Sequence, residues 1–364
     1  MPLSHFDPDN YDRQLQDKVE RLDTLLAPFV EDGLPQFIAR SAPAAYRMRA
    51  EFRVWHEGEE LDYVMFRAGA PRDPVPIEHF PIASHPIQLL MPDLLEKLKV
   101  SPTLRRRLFQ VEFLNSLSDE MMVSLIYHRK LDDDWSELAT ALAADLGIHI
   151  IGRSRGQKVV IGQDFVDEIL EVDNQTYTLR QYEQSFTQPN AGVNQHMIGW
   201  ARNAADGLGG DLLELYCGNG NFTVPLAAKF DRVLATEVAK TSVRAARHNA
   251  EENGVSNIEI VRLSAEEVTE ALRGSRQFRR LEGITLSDYT FSTVFVDPPR
   301  AGLDTQTEAL VAEFENIIYV SCNPDTLCEN LKQISKTHEI VQTAAFDQFP
   351  YTHHLECGVL LRRR

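Results

Sequence analysis

The spacing of apolar positions changes character along this chain. Over residues 11–29, Tyr11, Leu15, Val19, Leu22 and Leu26 recur at helical intervals, which predicts an opening amphipathic helix. Over residues 46–55 the period drops to two. YRMRAEFRVW sets Tyr46, Met48, Ala50, Phe52 and Val54 on one face of a strand, and Arg47, Arg49, Glu51, Arg53 and Trp55 on the other. Further strands are predicted at 61–66, 110–114, 121–127, 148–151 and 159–161, with helices near 87–99 and 135–146, separated by stretches rich in Pro, Gly and Asp. Alternation of this kind belongs to sheets with one wet face, so an antiparallel α+β domain is expected here.

Beyond residue 192 the order becomes strand, helix, strand, helix. A helix over 194–205 leads into DLLELYCGNGNF, and a helix through residue 226, DRVLATEVA and a helix to residue 253 follow. IEIVRL, STVFVDPP, NIIYVSC and EIVQTAAF come next, and LECGVLLRR closes the chain. Continuous apolar strands alternating with helices predict a parallel sheet covered on both faces. Such sheets bind ligands at the carboxyl ends of their strands.

Length agrees with the change of pattern, since 364 residues suit two cores. The boundary is placed between 1–184 and 185–364. The opening MPLSHFDPDNYDRQ lacks the charged-then-apolar layout of a leader, and no apolar run approaches the roughly 18 residues of a membrane span. The cysteines, Cys217, Cys322, Cys328 and Cys357, form neither a CxxC pair nor a zinc pattern. A cytoplasmic protein without a metal or iron–sulfur centre is expected. The net charge of −17 speaks against nucleic acid as a whole-chain partner. Locally the balance differs. Arg47, Arg49 and Arg53 form a stripe, and TLRRRLFQ adds Arg105, Arg106 and Arg107 beside Phe109. Such a face is either solvated or fitted to an RNA loop whose bases are splayed and stacked.

Strand ends carry the candidate chemistry. ELYCGNGNF supplies Gly218 and Gly220 for a tight turn, and Glu237 ends the next strand 19 residues after Gly218, where a carboxylate can hold ribose hydroxyls. GxGxxG is absent, so a single nucleoside group such as that of S-adenosylmethionine fits better than a dinucleotide. VDPPR forms a rigid corner after Asp297, with Arg300 where amino-group methyltransferases place an aromatic. Cys322 ends the fifth strand on the same rim, whereas Cys328 falls inside the following helix and reads as packing. A thiolate beside a sulfonium methyl donor suits an acceptor carbon that must first be made nucleophilic. Pyrimidine C5 is such a carbon, activated by thiolate addition at C6. The scheme then needs a base for the C5 proton. If the last strand runs antiparallel, Glu356 joins the rim and is preferred over His353 and His354.

With those residues in place, the chain resembles the RNA (uracil-5-)-methyltransferases, and within them the tRNA branch. SFTQPN, LLELYCGNGNF, VLATE, FVDPPRAGLD, SCNP, TLCENL and FDQFPYTHHLECGVLL carry the likeness over nearly the whole length. The resemblance implies an α/β architecture: a Rossmann-like class I S-adenosylmethionine-dependent methyltransferase domain, whose mostly parallel seven-stranded sheet has an antiparallel last strand, after an N-terminal α+β antiparallel-sheet RNA-binding domain. It implies that Gln188, Tyr216, Asn221, Glu237 and Asp297 bind S-adenosylmethionine, that Cys322 is the nucleophile and that Glu356 accepts the proton. The implied substrate is the T-loop uridine at position 54 of tRNA, with the T-arm mimic of transfer-messenger RNA as a second. A monomer is expected, with Arg47, Arg49, Arg53 and Phe109 as RNA contacts. The alternatives are an amino-group methyltransferase, a ribosomal-RNA uracil-5-methyltransferase, a non-catalytic RNA-binding protein and, more distantly, a nicotinamide-dependent oxidoreductase.

Overall fold

The computed structural model of the chain describes residues 6–30, 36–67 and 70–364. Residues 1–5, which open the stretch that shows no leader pattern, lie outside that set. Contacts divide the molecule into two compact units. One comprises chiefly Ala42–Ile169 and Gln181–Ala191, the other Asp9–Ser41, Leu170–Arg180 and Gly192–Arg364. No helix among the described residues is long and apolar enough to cross a membrane.

In chain order the elements begin with α1 (Tyr11–Leu26) and β1 (Gln36–Ala39). The first unit then supplies β2 (Arg49–Glu57), β3 (Glu60–Arg67), β4 (Ala70–Pro76), α2 (His85–Val100), α3 (Pro102–Arg105), β5 (Leu108–Asn115), β6 (Met121–Tyr127), α4 (Asp133–Leu146), β7 (His149–Ser154) and β8 (Gln157–Ile161). These strands form one seven-stranded sheet of order β4-β3-β2-β5-β6-β7-β8. The two-residue period of 46–55 is explained by burial: Tyr46, Met48, Ala50, Phe52 and Val54 all enter the core. The sheet is not wholly antiparallel. β6 and β7 pair in parallel, Met122↔His149 to Ile126↔Arg153. The helix between them is the reason, because α4 provides the crossover that parallel neighbours require. Asp132 caps it by accepting from the Trp135 N–H at 2.9 Å, and Gly147 ends it at φ 66°.

A ribbon of β9 (Phe165–Val172) and β10 (Gln175–Tyr182), unforeseen in the sequence, precedes α5 (Ala191–Ala204). The second unit continues with β11 (Asp211–Leu215), α6 (Thr223–Leu226), β12 (Arg232–Thr236), α7 (Lys240–Glu252), β13 (Ile258–Val261), α8 (Ala265–Leu272), β14 (Phe291–Val296), α9 (Thr305–Val311), β15 (Asn316–Ser321), α10 (Pro324–Ile334), β16 (His338–Phe346) and β17 (Glu356–Arg363). Its sheet runs β1-β16-β17-β15-β14-β11-β12-β13, eight strands in place of the expected seven. The extra strand is β1, which pairs in parallel with β16 from Gln36↔Thr343 to Ala39↔Phe346. β17 is antiparallel to both neighbours. In β15, Ile317 through Val320 are 0% exposed, so the unbroken apolar run reflects a strand covered on both faces.

Chain order and contact therefore separate early. α1, which opens the N-terminal half, belongs to the unit of the eight-stranded sheet, where Arg21 Nη2 donates to both oxygens of Asp325 at the start of α10, at 2.9 and 2.7 Å. Lys18 pairs at 2.6 Å with Asp347, which follows β16, and donates to the Phe349 carbonyl at 2.9 Å. Both members of that pair are almost wholly buried. The five apolar positions read from the sequence are the helix's buried stripe.

Candidate active site

Strand register brings the rim together. Leu215 pairs with Thr236 on one side and with Val296 on the other, so Tyr216, Glu237 and Asp297 each follow the last residue of three adjacent parallel strands. β14 pairs with β15 in turn, and β15 pairs antiparallel with β17, ending at Ser321↔Cys357. Cys322 and Glu356 are the next residues beyond that last pair, and Glu356 is among the charges that act on the Cys322 thiol.

The turn after β11 is built to approach a ligand. Gly218 and Gly220 take φ values of 56° and 84°, and Tyr216, which has a side chain, is also left-handed at 61°. Positive φ at a non-glycine residue costs of order 1 to 3 kcal/mol and clusters where function demands it. A Cβ on Gly218 would meet nothing within 4 Å, so the turn faces open space. Glu237 reaches across to it. Its Oε2 accepts from the Gly218 N–H at 3.1 Å and its Oε1 from the Ala239 N–H at 2.7 Å. Asn221 has less freedom than the sequence suggested: its amide forms a reciprocal pair with Asn194 of α5, at 2.8 and 2.9 Å. Gln188 lies in the first unit, 8% exposed, with its Oε1 buried and without a hydrogen-bond partner.

Carboxyls dominate the electrostatics. Glu356 is 4% exposed, and burial, then the neighbouring Asp297, pushes it up to about 8. Burial raises Asp297 to about 7. The half-buried Cys322 thiol is pushed up to about 11 by burial and by Glu356 and Asp297, with Arg300 opposing. At neutral pH the thiol and the Glu356 carboxyl are therefore mostly protonated in the free protein. The other thiols are buried: Cys217, in the glycine turn, donates to the Gly218 carbonyl at 3.9 Å and is raised by burial. Cys328 is buried and donates to the Leu25 carbonyl at 3.4 Å, and Cys357 donates to the Ser321 carbonyl at 3.6 Å. His353 and His354 lie with ring centres 4.0 Å apart and planes tilted by 41° in the loop before β17. His354 is held below its ordinary value, chiefly by burial.

Glu214 went unnoticed in the sequence. It lies in β11, 1% exposed, raised to about 8 mainly by burial and also by Asp297, with its Oε2 lacking a hydrogen-bond partner. An acid inside the apolar run DLLEL was the available signal. Asn194 gave none, being one polar residue of an amphipathic helix.

In the first unit the arginine stripe is partly occupied. Arg47 Nε donates to the Arg49 carbonyl and Arg49 Nη1 to the Ser185 carbonyl, both at 2.8 Å, while Glu112 lies 3.7 Å from Arg49. Arg53 lies 3.8 Å over the Phe109 ring, which also stacks on His128 at 3.9 Å and 28°. Phe109, read as a free aromatic, is thus the middle of a stack. His128, exposed and far from Phe109 in sequence, was missed because only the pairing of β5 with β6 brings them together.

Comparison with known proteins identifies the family. The tRNA (Uracil-5-)-methyltransferase family model matches residues 10–364. The tRNA/tmRNA (uracil-C(5))-methyltransferase of Aromatoleum aromaticum is 54% identical, covering 100% of this chain and 98% of its own. The protein of that name from Neisseria meningitidis serogroup A is also 54% identical, over 98% of this chain and 99% of its own. Among solved structures, the Pyrococcus abyssi tRNA (uracil-54, C5)-methyltransferase in complex with S-adenosyl-L-homocysteine aligns with a TM-score of 0.73 at 22% identity, over 97% of this chain and 83% of its own. That likeness establishes the fold of an S-adenosylmethionine-dependent methyltransferase. The matched span takes in the glycine turn, the VDPPR corner, Cys322 and Glu356 alike, and the chain belongs to the tRNA (uracil-5-)-methyltransferase family.

Proposed function

We propose that the protein methylates C5 of the T-loop uridine at position 54 of tRNA, with S-adenosylmethionine as donor. The supporting observation is that Cys322 and Glu356 lie just beyond the last pair of the β15–β17 ladder, close enough for the Glu356 charge to raise the thiol, one strand away from Asp297 on the rim that carries the glycine turn. Because the curated relatives' names include transfer-messenger RNA, the T-arm mimic of that molecule is proposed as a second substrate.

The donor fits this rim. Glu237 offers two carboxylate oxygens beside the open Gly218 turn, a pattern suited to a ribose diol. Tyr216 and Asp297 flank it, and Gln188 and Asn221 complete the proposed set. When bound, S-adenosylmethionine supplies an electrophilic methyl on a sulfonium. The Cys322 thiolate adds to uracil C6, and the electron pair released to C5 takes the methyl group. Glu356 then removes the C5 proton, which restores the double bond and expels the thiolate. Mass analysis of T-arm RNA after incubation with S-adenosylmethionine tests the reading. One added methyl at C5 of the target uridine supports it, and methylation on an exocyclic amine would replace it with amino-group chemistry.

Glu237→Ala is expected to weaken S-adenosylmethionine binding by about 1.5 to 3 kcal/mol, the worth of charge-assisted hydrogen bonds. Calorimetry showing undiminished affinity would remove Glu237 from the donor site.

The first unit is proposed as the RNA-binding domain, through Arg47, Arg49, Arg53 and Phe109. The Arg53–Phe109–His128 stack supports this, because aromatic and guanidinium planes accept splayed bases. Removing one phosphate contact lowers the slope of log affinity against log salt by about 0.7 to 0.9. Arg53→Ala and Arg49→Ala are each expected to show that change with T-arm RNA. An unaltered slope in both would mark the stripe as a solvated face.

A further inference from the structure

The TLCENL stretch contributes no group to the chemistry above, yet it holds a buried amide that ties together two loops of the rim. Asn330, in the middle of α10, is 6% exposed. Its Oδ1 accepts from the Leu303 N–H at 3.0 Å and from the Tyr319 hydroxyl at 2.8 Å. Its Nδ2 donates to the Leu303 carbonyl at 3.0 Å and to Glu308 Oε2 at 2.7 Å. One side chain therefore joins α10, which follows Cys322, to β15, which precedes it, and to the segment that runs from the VDPPR corner into α9.

The loop is fitted closely around that amide. Gly302 has a φ of 77°, and a Cβ there would lie 2.8 Å from Asn330 Oδ1. A second fastening lies nearer the rim, where Asn323 Nδ2 and Thr326 Oγ1 both donate to the Arg300 carbonyl at 3.3 Å. Both are long bonds on exposed groups, whereas the four at Asn330 are 2.7 to 3.0 Å, three of them buried and the one to Glu308 half-buried. Buried amide networks that are fully satisfied hold one arrangement strongly and lose it when a single member is removed.

We infer that Asn330 is a positioning residue for the proposed reaction: it sets the Asp297–Arg300 corner in register with the Cys322 loop, so that thiol, donor and uracil meet in line. It touches no reacting atom. A displacement of about 1 Å from such a remote site can cost on the order of 10² in rate without loosening ligands. The inference rests on the Cys322 addition proposed above.

The test is formation of the covalent adduct with T-arm RNA carrying 5-fluorouridine at the target. There Cys322 Sγ bonds to C6, the methyl moves to C5, and fluorine cannot leave as a cation, so the adduct persists. Asn330→Ala is expected to slow adduct formation at least about tenfold. Its affinities for S-adenosylmethionine and RNA should stay within about threefold of the wild type. Asn330→Asp removes the donor and sets a carboxylate against Glu308, so it should be slower still. Adding Glu308→Gln to Asn330→Asp returns a donor at that contact, though not at the Leu303 carbonyl, and should recover part of the rate. An unchanged adduct rate in Asn330→Ala would overturn the inference, as would a parallel fall in rate and both affinities. If Asn330→Ala does not fold, the Asn330→Asp and Glu308→Gln pair decides, and no recovery in the double variant overturns the inference too. Failure of the wild type itself to form the adduct would overturn the proposed chemistry instead.

Discussion

Cys322→Ala is expected to abolish methyl transfer, a loss on the order of 10⁴ to 10⁶ as for other enzymes stripped of their nucleophile. Uracil C5 has little nucleophilic character until C6 is occupied, so Asp297, Glu356 and the donor turn have nothing to act upon without the thiolate. Binding should survive, because Cys322 follows β15, two strands from the glycine turn after β11, where the Gly218 N–H donates to Glu237. Cys328→Ala should keep its activity, since that thiol is committed to packing between α10 and α1, donating to the Leu25 carbonyl at 3.4 Å. A pH dependence follows from the position of the thiol. Burial, the largest cause, and the carboxyls of Glu356 and Asp297 where ionised hold it up, so the thiolate fraction falls as pH falls. The rate of adduct formation with 5-fluorouridine RNA should rise with pH across the neutral range. Denaturing gels and peptide mapping check the assignment, and an adduct on Cys328 or Cys357 would move the nucleophile.

Tyr216, Glu237, Asp297 and Cys322 could be placed on one rim from the sequence because each follows a run whose burial is written in composition. IIYVS and VFV are apolar without interruption, which marks them as central parallel strands, and the residue after such a strand faces the ligand edge. The alternation over 46–55 was equally plain, since one face had to be buried. Other features depended on partners remote in sequence. β1 is only QFIA, too short for any period, and it becomes a strand because β16, some three hundred residues later, offers an open edge. The place of α1 is set by the same return of the chain, through Asp325 and Asp347. The parallel pairing of β6 with β7 departs from the antiparallel expectation that alternation raised, and its signal is the helix predicted near 135–146 between the two strands. Side-chain pairs were the least visible. Asn221 with Asn194, and Phe109 with His128, meet only after folding, so the sequence showed each residue and neither partner.

Glu356→Gln is expected to divide the reaction at its midpoint. Addition of Cys322 and transfer of the methyl group need no base at C5, so both should proceed. Release of product requires that proton to leave, and an amide cannot take it. General bases contribute about 10² to 10⁴ in rate, so methylated RNA should accumulate attached to Cys322 and be released slowly. In the wild type the same step should carry the signature of a carboxyl near 8. Below that value the group is mostly protonated and release should speed about tenfold per unit of rising pH, levelling above it. The variant should show no such slope. Stability gives an independent check on the same group. Its folded-state value lies above the roughly 4.3 of a free glutamate, so the folded protein holds the proton more tightly and stability falls as pH rises from there to about 8. Glutamine carries no such penalty, so the melting temperature of Glu356→Gln should gain on the wild type as pH rises from 5 towards 8, then stay level. Free, fully methylated RNA released by Glu356→Gln at the wild-type rate would transfer the base role to His353, His354 or water, and the altered melting profile would still stand as evidence of a buried carboxyl with another purpose.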